Sequence, residues 1–122
     1  MLLIDAANVV GSRPTGWWRD RAGAARDLVA RVRAAAADGR LPLPVVVVLE
    51  GKARNGADEG IIDNVQVVHA KGEGDDTLVD ETAAATEGVI LVSSDRGLRD
   101  RASALGAETV GAGWLLDRLE RV

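Results

Sequence analysis

The stretch "GVILVSSDRGLRDRASALGA", residues 88–107, decides the fold. Its first part is an unbroken apolar run. Its second part spaces Leu and Ala at helical intervals among arginines and closes on Gly106. A continuous apolar run, instead of an alternating one, marks a strand buried on both faces. Such strands belong to parallel sheets with helices packed above and below. An acid, Asp95, stands at the junction between strand and helix.

The same unit recurs outward from this point. "DDTLVDETAAATE" (75–87) predicts a helix with Leu78, Val79, Thr82, Ala83 and Thr86 facing inward and Asp75 as its N-cap. Before it, "IIDNVQVVHA" (61–70) holds a strand near 65–69, and "GKARNGADEG" (51–60) reads as a loop. "LPLPVVVVLE" (41–50) is a β-branched strand with its prolines at the start, where a missing N–H does little harm. Residues 17–37 predict a helix whose stripe is Ala22, Ala25, Val29, Val32 and Ala36. "GSRPTG" (11–16) is a loop and "MLLID" (1–5) a buried strand ending in an acid. Towards the C-terminus, "ETV" (108–110) gives a short strand and "GWLLDRLERV" (113–122) a last helix. The expectation is an α/β fold: one domain, 1–122, with a doubly wound, mostly parallel sheet and helices on both faces.

Composition narrows the chemistry. The 122 residues are 47% hydrophobic, enough for a core of Val, Leu, Ile and Ala, since Phe and Tyr are absent. There is no Cys, which removes disulfides, thiolate metal sites and a thiol nucleophile. The opening apolar run is too short for a signal peptide, and nothing approaches the ~20 apolar residues of a membrane span. A cytoplasmic protein with no membrane partner is expected.

Charge is unevenly spread. Residues 1–71 carry ten basic and eight acidic side chains, whereas 72–95 carry seven acids and no Lys or Arg. The segment "KGEGDDTLVDE" (71–81) alone holds five carboxylates. In open parallel sheets, ligands bind beyond the carboxyl ends of the strands. Asp5 ends the first strand, Glu50 the second and Asp95 the fourth, while Asp75 and Asp76 open the helix after the third. All of these acids collect along one edge. With the first and fourth strands adjacent, Asp5 and Asp95 are expected about one strand spacing, ~5 Å, apart. Crowded carboxylates repel unless they are protonated or bridged by cations. Oxygen ligands without Cys or nearby His suit Mg²⁺ or Mn²⁺. The alternative is that acids at helix starts serve the helix dipole and the rest are solvated surface. Asp5 and Asp95, each closing a buried apolar run, fit that alternative poorly; Asp76 and Glu50 fit either.

Several carboxylate and phosphate chemistries are excluded. The run Asp5-Ala6-Ala7 lacks the second acid of a haloacid-dehalogenase-type phosphatase. The acidic pair and late Lys of a receiver domain are absent, and no Gly-rich phosphate loop follows a strand. His69, the single His, is expected to have a structural role in its strand.

Three motifs in order, "LLIDAANVVGSRP", "KGEGDDTLVDE" and "ILVSSDRGLRDRA", resemble the NYN/PIN-like nuclease superfamily, and within it the small bacterial YacP-like branch. The resemblance runs over nearly the whole chain. It implies a metal-dependent endoribonuclease in which Asp5, Asp75 and Asp95 are the catalytic and metal-binding acids. Asp76 follows Asp75 in the acidic pair, and Asn8 matches the Asn that follows the first acid. Glu50 stands where the family usually has Asp, and Gly74 where Ala is customary before the acidic pair. Mg²⁺ or Mn²⁺ would be the cofactor and RNA, single-stranded or structured, the partner. Asn8 and Ser94 would orient water or phosphate, and Arg13, Arg19, Arg21, Lys52, Arg54 and Arg96 would contact the RNA. Trp17 and Trp18 can stack on bases or staple the start of the first helix. A homo-oligomer would let two acidic crevices share basic flanks. Two other functions remain open: RNA binding without catalysis, and metal-dependent hydrolysis of a nucleotide or small phosphoester.

Overall fold

The structure, a computed structural model, describes residues 1–120. The last two residues of the expected C-terminal helix, 121 and 122, lie outside them. Six strands form one sheet: β1 (Leu2–Asp5), β2 (Val45–Leu49), β3 (Gly60–Ile62), β4 (Val65–His69), β5 (Ile90–Val92) and β6 (Glu108–Val110). Their spatial order is β3-β4-β2-β1-β5-β6, parallel except for β3. The chain builds outward from β1 through β2 to β4, then returns across the sheet to β5 and β6. The reversal lies between β1 and β5, the crevice where α/β sheets take ligands.

Strand residues alternate between two cores. Leu2, Ile4, Val45, Val47 and Leu49 pack on one face under α1 (Ala6–Gly11), α2 (Arg21–Ala37) and α5 (Ala112–Glu120). Leu3, Val46, Val48 and Leu91 pack on the other under α3 (Gly74–Ala84) and α4 (Arg96–Ala104). Because both faces are covered, the strands read as solid apolar runs, as expected.

Local details differ from the expectation where turn chemistry or close packing decides. Directly after Asp5 the chain turns into α1, a helix the sequence reading left unassigned. The 17–37 helix begins at Arg21, capped by Asp20 through a 2.8 Å bond from the Gly23 N–H; Trp17–Arg19 form a separate 3-10 turn. Residues 51–60 are not one irregular loop. Gly51–Gly56 make a 3-10 segment, and β3 hairpins onto β4 through Asp63 and Asn64, both with positive φ (49° and 67°). Two consecutive left-handed residues are what a two-residue type I′ turn requires. Gly56 lets the 3-10 segment lie against α2, since a Cβ there would run into the Ala22 carbonyl. In α3 the N-cap is Glu73, not Asp75, which lies within the first turn; Ala83 and Thr86 are exposed. No helix among the described residues is long and apolar enough to cross a membrane.

Leu91 is fully buried at the centre of the second core. Leu91→Ala is expected to lower unfolding free energy by about 2–5 kcal/mol in denaturant titration with little change in slope. A loss below ~1 kcal/mol would mean that this face does not carry the fold.

Candidate functional site

Asp5 is only 7% exposed. Burying a carboxylate is tolerable only when its oxygens are bonded, and two neighbours do this. The Asn8 backbone N–H donates to Oδ1 at 3.3 Å, capping α1, and the Ser93 hydroxyl donates to Oδ2 at 2.9 Å. The register explains the second contact. One step beyond the pair Ile4–Val92, Ser93 comes opposite Asp5. Asp95 is therefore not the direct neighbour of Asp5 across the strands; it sits two residues further on. Its own N–H donates to Ser93 Oγ at 3.1 Å, and its Oδ1 caps α4 by accepting from the Leu98 N–H at 2.9 Å. Ser93 thus joins the two acids, a role the sequence did not reveal. Its signal was the parity of the two parallel strands.

Burial raises the pKa of Asp5 above the ordinary carboxylate value. The Ser93 and Asn8 bonds oppose the rise, and the charges of Asp75 and Glu50 add to it. Asp75 is raised as well, first by burial, then by Asp95 and Glu50, with Arg101 acting against. Asp5 is thus in the field of Asp75 and Glu50, and Asp75 in that of Asp95 and Glu50, across the carboxyl edge of the sheet.

The remaining acids are dispersed by the fold. Arg101 of α4 reaches Asp76 at 3.2 Å, so Asp76 has a basic partner and an exposed position outside the group. Glu87 lies 3.9 Å from the N-terminal amine. Part of the excess negative charge along the sequence is thus answered in space by residues far along the chain.

Glu50 and Gly74, where the sequence departs from the motifs it resembles, fit each other. The Gly74 N–H donates to Glu50 Oε2 at 2.7 Å, and a Cβ on Gly74 would stand 3.2 Å from both Cδ and Oε2 of Glu50. The longer acid occupies the space that a smaller neighbour leaves.

The expected RNA contacts divide. Arg21 lies over the Trp17 ring, 5.5 Å from its centroid, beside a cavity bordered by Glu50 and Glu73. Arg19 stacks against Trp18 at 5.9 Å. Lys52 and Arg54 border a second cavity with His69, and Arg54 is held by the Gly51 carbonyl at 3.0 Å. His69 is structural as expected: Nε2 meets the Ala57 carbonyl at 2.7 Å. Arg96 is exposed beside Asp95. Arg13 is drawn away, paired with Glu120 of α5 at 2.6 Å. Ser94 and Asn8 hold each other: the Ser94 N–H donates to Asn8 Oδ1 at 2.8 Å, and Ser94 Oγ accepts from the Ala112 N–H at 3.1 Å. Asn8 Oδ1 ties α1 to the end of β5 and Ser94 Oγ ties α5 to it, which leaves the Asn8 amide NH₂ and the Ser94 O–H able to donate to a ligand.

Among the described residues no three Asp, Glu or His side chains stand close enough to form a closed metal cage. The donor set nevertheless suits a hard cation. Mg²⁺ keeps several waters and needs only one or two protein carboxylates, with substrate phosphates completing its shell. Asp75 has no hydrogen bond or ion pair among the described residues, and the raised pKa values of Asp5 and Asp75 mark a place short of positive charge.

No protein-family profile matches the chain, and no curated protein matches it in sequence. In three dimensions it is similar to crystal structures of Rae1 (YacP) from Bacillus subtilis (TM-score 0.71) and of a mutant of that protein (0.70). Both are 20% identical to it, over 98% of this chain and 73% of theirs. The fold is PIN/NYN-like. At that identity the likeness concerns architecture, and the chemistry must be argued from the side chains.

Two outcomes are expected. Both pKa shifts are upward from 3.8, so the stability these groups contribute is full below that value and lost as pH rises through the raised values. The metal-free protein should melt at a higher temperature as pH falls from neutrality through the raised values towards 3.8. Asp75→Asn should raise the melting temperature at pH 7 and flatten that dependence; a lower melting temperature would show that the carboxylate is not a source of strain. For the matched pair, Gly74→Ala should destabilise the native chain but stabilise the Glu50→Asp chain by about 0.5 kcal/mol, because Ala favours the helix once the space is free. Additive effects in that double-mutant cycle would refute the fit.

Proposed function

We propose that this chain is a metal-dependent ribonuclease that hydrolyses RNA phosphodiesters, with Mg²⁺ or Mn²⁺ bound at the edge formed by Asp5, Asp75 and Asp95, one or two of which would ligate it directly and the rest through its waters, beside Glu50. The observation that carries the reading is the position of Asp5: a buried carboxylate at the reversal point of the sheet, in the field of two further acids. A fold maintains such a group at a cost in stability, and the crevice is where α/β sheets do their chemistry. When bound, a divalent ion would acidify water and offset phosphate charge. The chain's own part is positional. The Ser93 hydroxyl and the Asn8 N–H hold Asp5 in one orientation, and Asp95 is fixed by its cap to Leu98. The Asn8 amide NH₂ is available to a phosphate oxygen. Arg21, Lys52 and Arg96, on the flanks, would draw the RNA backbone to an edge that is otherwise repulsive to it.

One feature favours a second reading, RNA binding without catalysis. Asp5 and Asp95 both cap helices, a structural task that would keep them in place without any reaction.

The two readings separate on Asp95→Asn. The Asn carbonyl can still accept from the Leu98 N–H, so the variant should melt within a few degrees of the native protein. Cleavage of a labelled RNA in Mn²⁺ should fall roughly a hundredfold or more, since even the loss of an outer partner of a metal ligand costs 10–100-fold. EDTA should stop cleavage as well. Undiminished cleavage by a folded Asp95→Asn variant would sink the catalytic assignment, and RNA binding indifferent to EDTA with no cleavage would establish the second reading.

A further inference from the structure

A cavity of about 430 Å³ opens directly beside the acid row. Ala6, the residue after Asp5, and Val10 form an apolar wall, and the Trp17 indole forms another. The Trp17 ring is backed by Gly11, where an added Cβ would sit 3.6 Å from it. At the rim are three charged groups of both signs, Arg21, Glu50 and Glu73. Arg21 lies over the Trp17 ring, 5.5 Å from its centroid, so a base stacking on that face would displace the exposed guanidinium towards the edge of the base.

We infer that this cavity receives a single unstacked nucleobase of the RNA, and that the base it fits best is guanine. The inference deepens the reading of the acid row as a phosphodiester site and rests on it. An aromatic wall opposite small aliphatic residues suits a planar ring, and stacking on Trp makes no demand on base identity. The rim supplies the demand. Guanine presents O6 and N7 as adjacent acceptors, which a guanidinium reads, and N1–H and the 2-amino group as adjacent donors, which a carboxylate reads. Arg21 and Glu73 offer both kinds of partner at one opening. Uracil and cytosine, with a single ring, fill less of the space, and adenine has no acceptor at position 6 for Arg21. A phosphate alone would meet two carboxylates and be repelled. Because Ala6 follows Asp5, a nucleotide whose base sits here brings its phosphate to the acid row.

The test is calorimetric titration, in Mg²⁺, of guanosine 5′-monophosphate, uridine 5′-monophosphate and ribose 5-phosphate, the last having a phosphate but no base. The guanosine nucleotide is expected to bind about fivefold more tightly than the uridine nucleotide and roughly tenfold more tightly than ribose 5-phosphate. Trp17→Ala should weaken it roughly tenfold, and Trp17→Phe, which keeps a flat ring, should retain most of the affinity. Glu73→Gln should erase the margin over the uridine nucleotide. Thermal melting of each variant confirms the fold. Equal affinity for ribose 5-phosphate, no binding of the guanosine nucleotide, or unchanged affinity in a folded Trp17→Ala chain would overturn the inference. Equal affinity for the two nucleotides would overturn the choice of guanine. Guanosine nucleotide binding that follows this pattern in a protein unable to cleave RNA would support the pocket while removing the ribonuclease reading.

Discussion

The hydrogen bond from the Ser93 hydroxyl to Asp5 ties the two halves of the sheet at the point where the chain reverses direction. Much of the functional edge hangs from it. It compensates the burial of Asp5, it sets Ser93 to accept from the Asp95 N–H, and through that contact it orients the start of α4. A buried carboxylate without this partner would be protonated or displaced. Asp5 also caps α1, so its side chain links strand, helix and neighbouring strand at once.

Charge is the second constraint. The acids crowded along the chain are sorted by the fold into two kinds. Asp76 and Glu87 find cations from distant segments and become ordinary surface. Asp5 has no cation acting on it and Asp75 only the partial opposition of Arg101, and the pKa of each is raised, first by burial and then by neighbouring acids: Asp75 and Glu50 for Asp5, Asp95 and Glu50 for Asp75. The unrelieved group gathers at the crevice of the sheet, which is where a divalent ion and a phosphate would complete it. Glu50 belongs to the same edge and owes its place there to the missing side chain of Gly74.

The architecture was legible because parallel strands covered on both faces must be apolar throughout, as "VVVVL" and "VILV" are. Helices α2, α3, α4 and α5 were legible from their spacing and from stops such as Gly106. The start of α4 after Asp95 was legible too; the starts of α2 and α3 were not. Asp20 caps α2, which starts at Arg21 and not at Trp17, and Glu73 precedes Asp75 at α3, because capping depends on which N–H groups are left open. The β3–β4 hairpin was missed although Asp63-Asn64 between apolar residues is a turn signal; short strands with exposed side chains carry no periodicity to read.

The sequence by itself determined the fold class and which edge of the sheet would hold the acids, since every parallel strand must deliver its C-terminal residue to the same side. Tertiary structure decided which acids act together. Whether Asp76 joins Asp75 depends on Arg101, 25 residues away, and whether Asp95 faces Asp5 depends on a register that puts Ser93 between them. Pairings of that kind depend on distances across the sheet and between helices, which local spacing along the chain does not encode. For the same reason the Trp17 cavity beside the acids, formed where α1, α2 and the segment after β2 leave space between small side chains, is visible only in the folded protein.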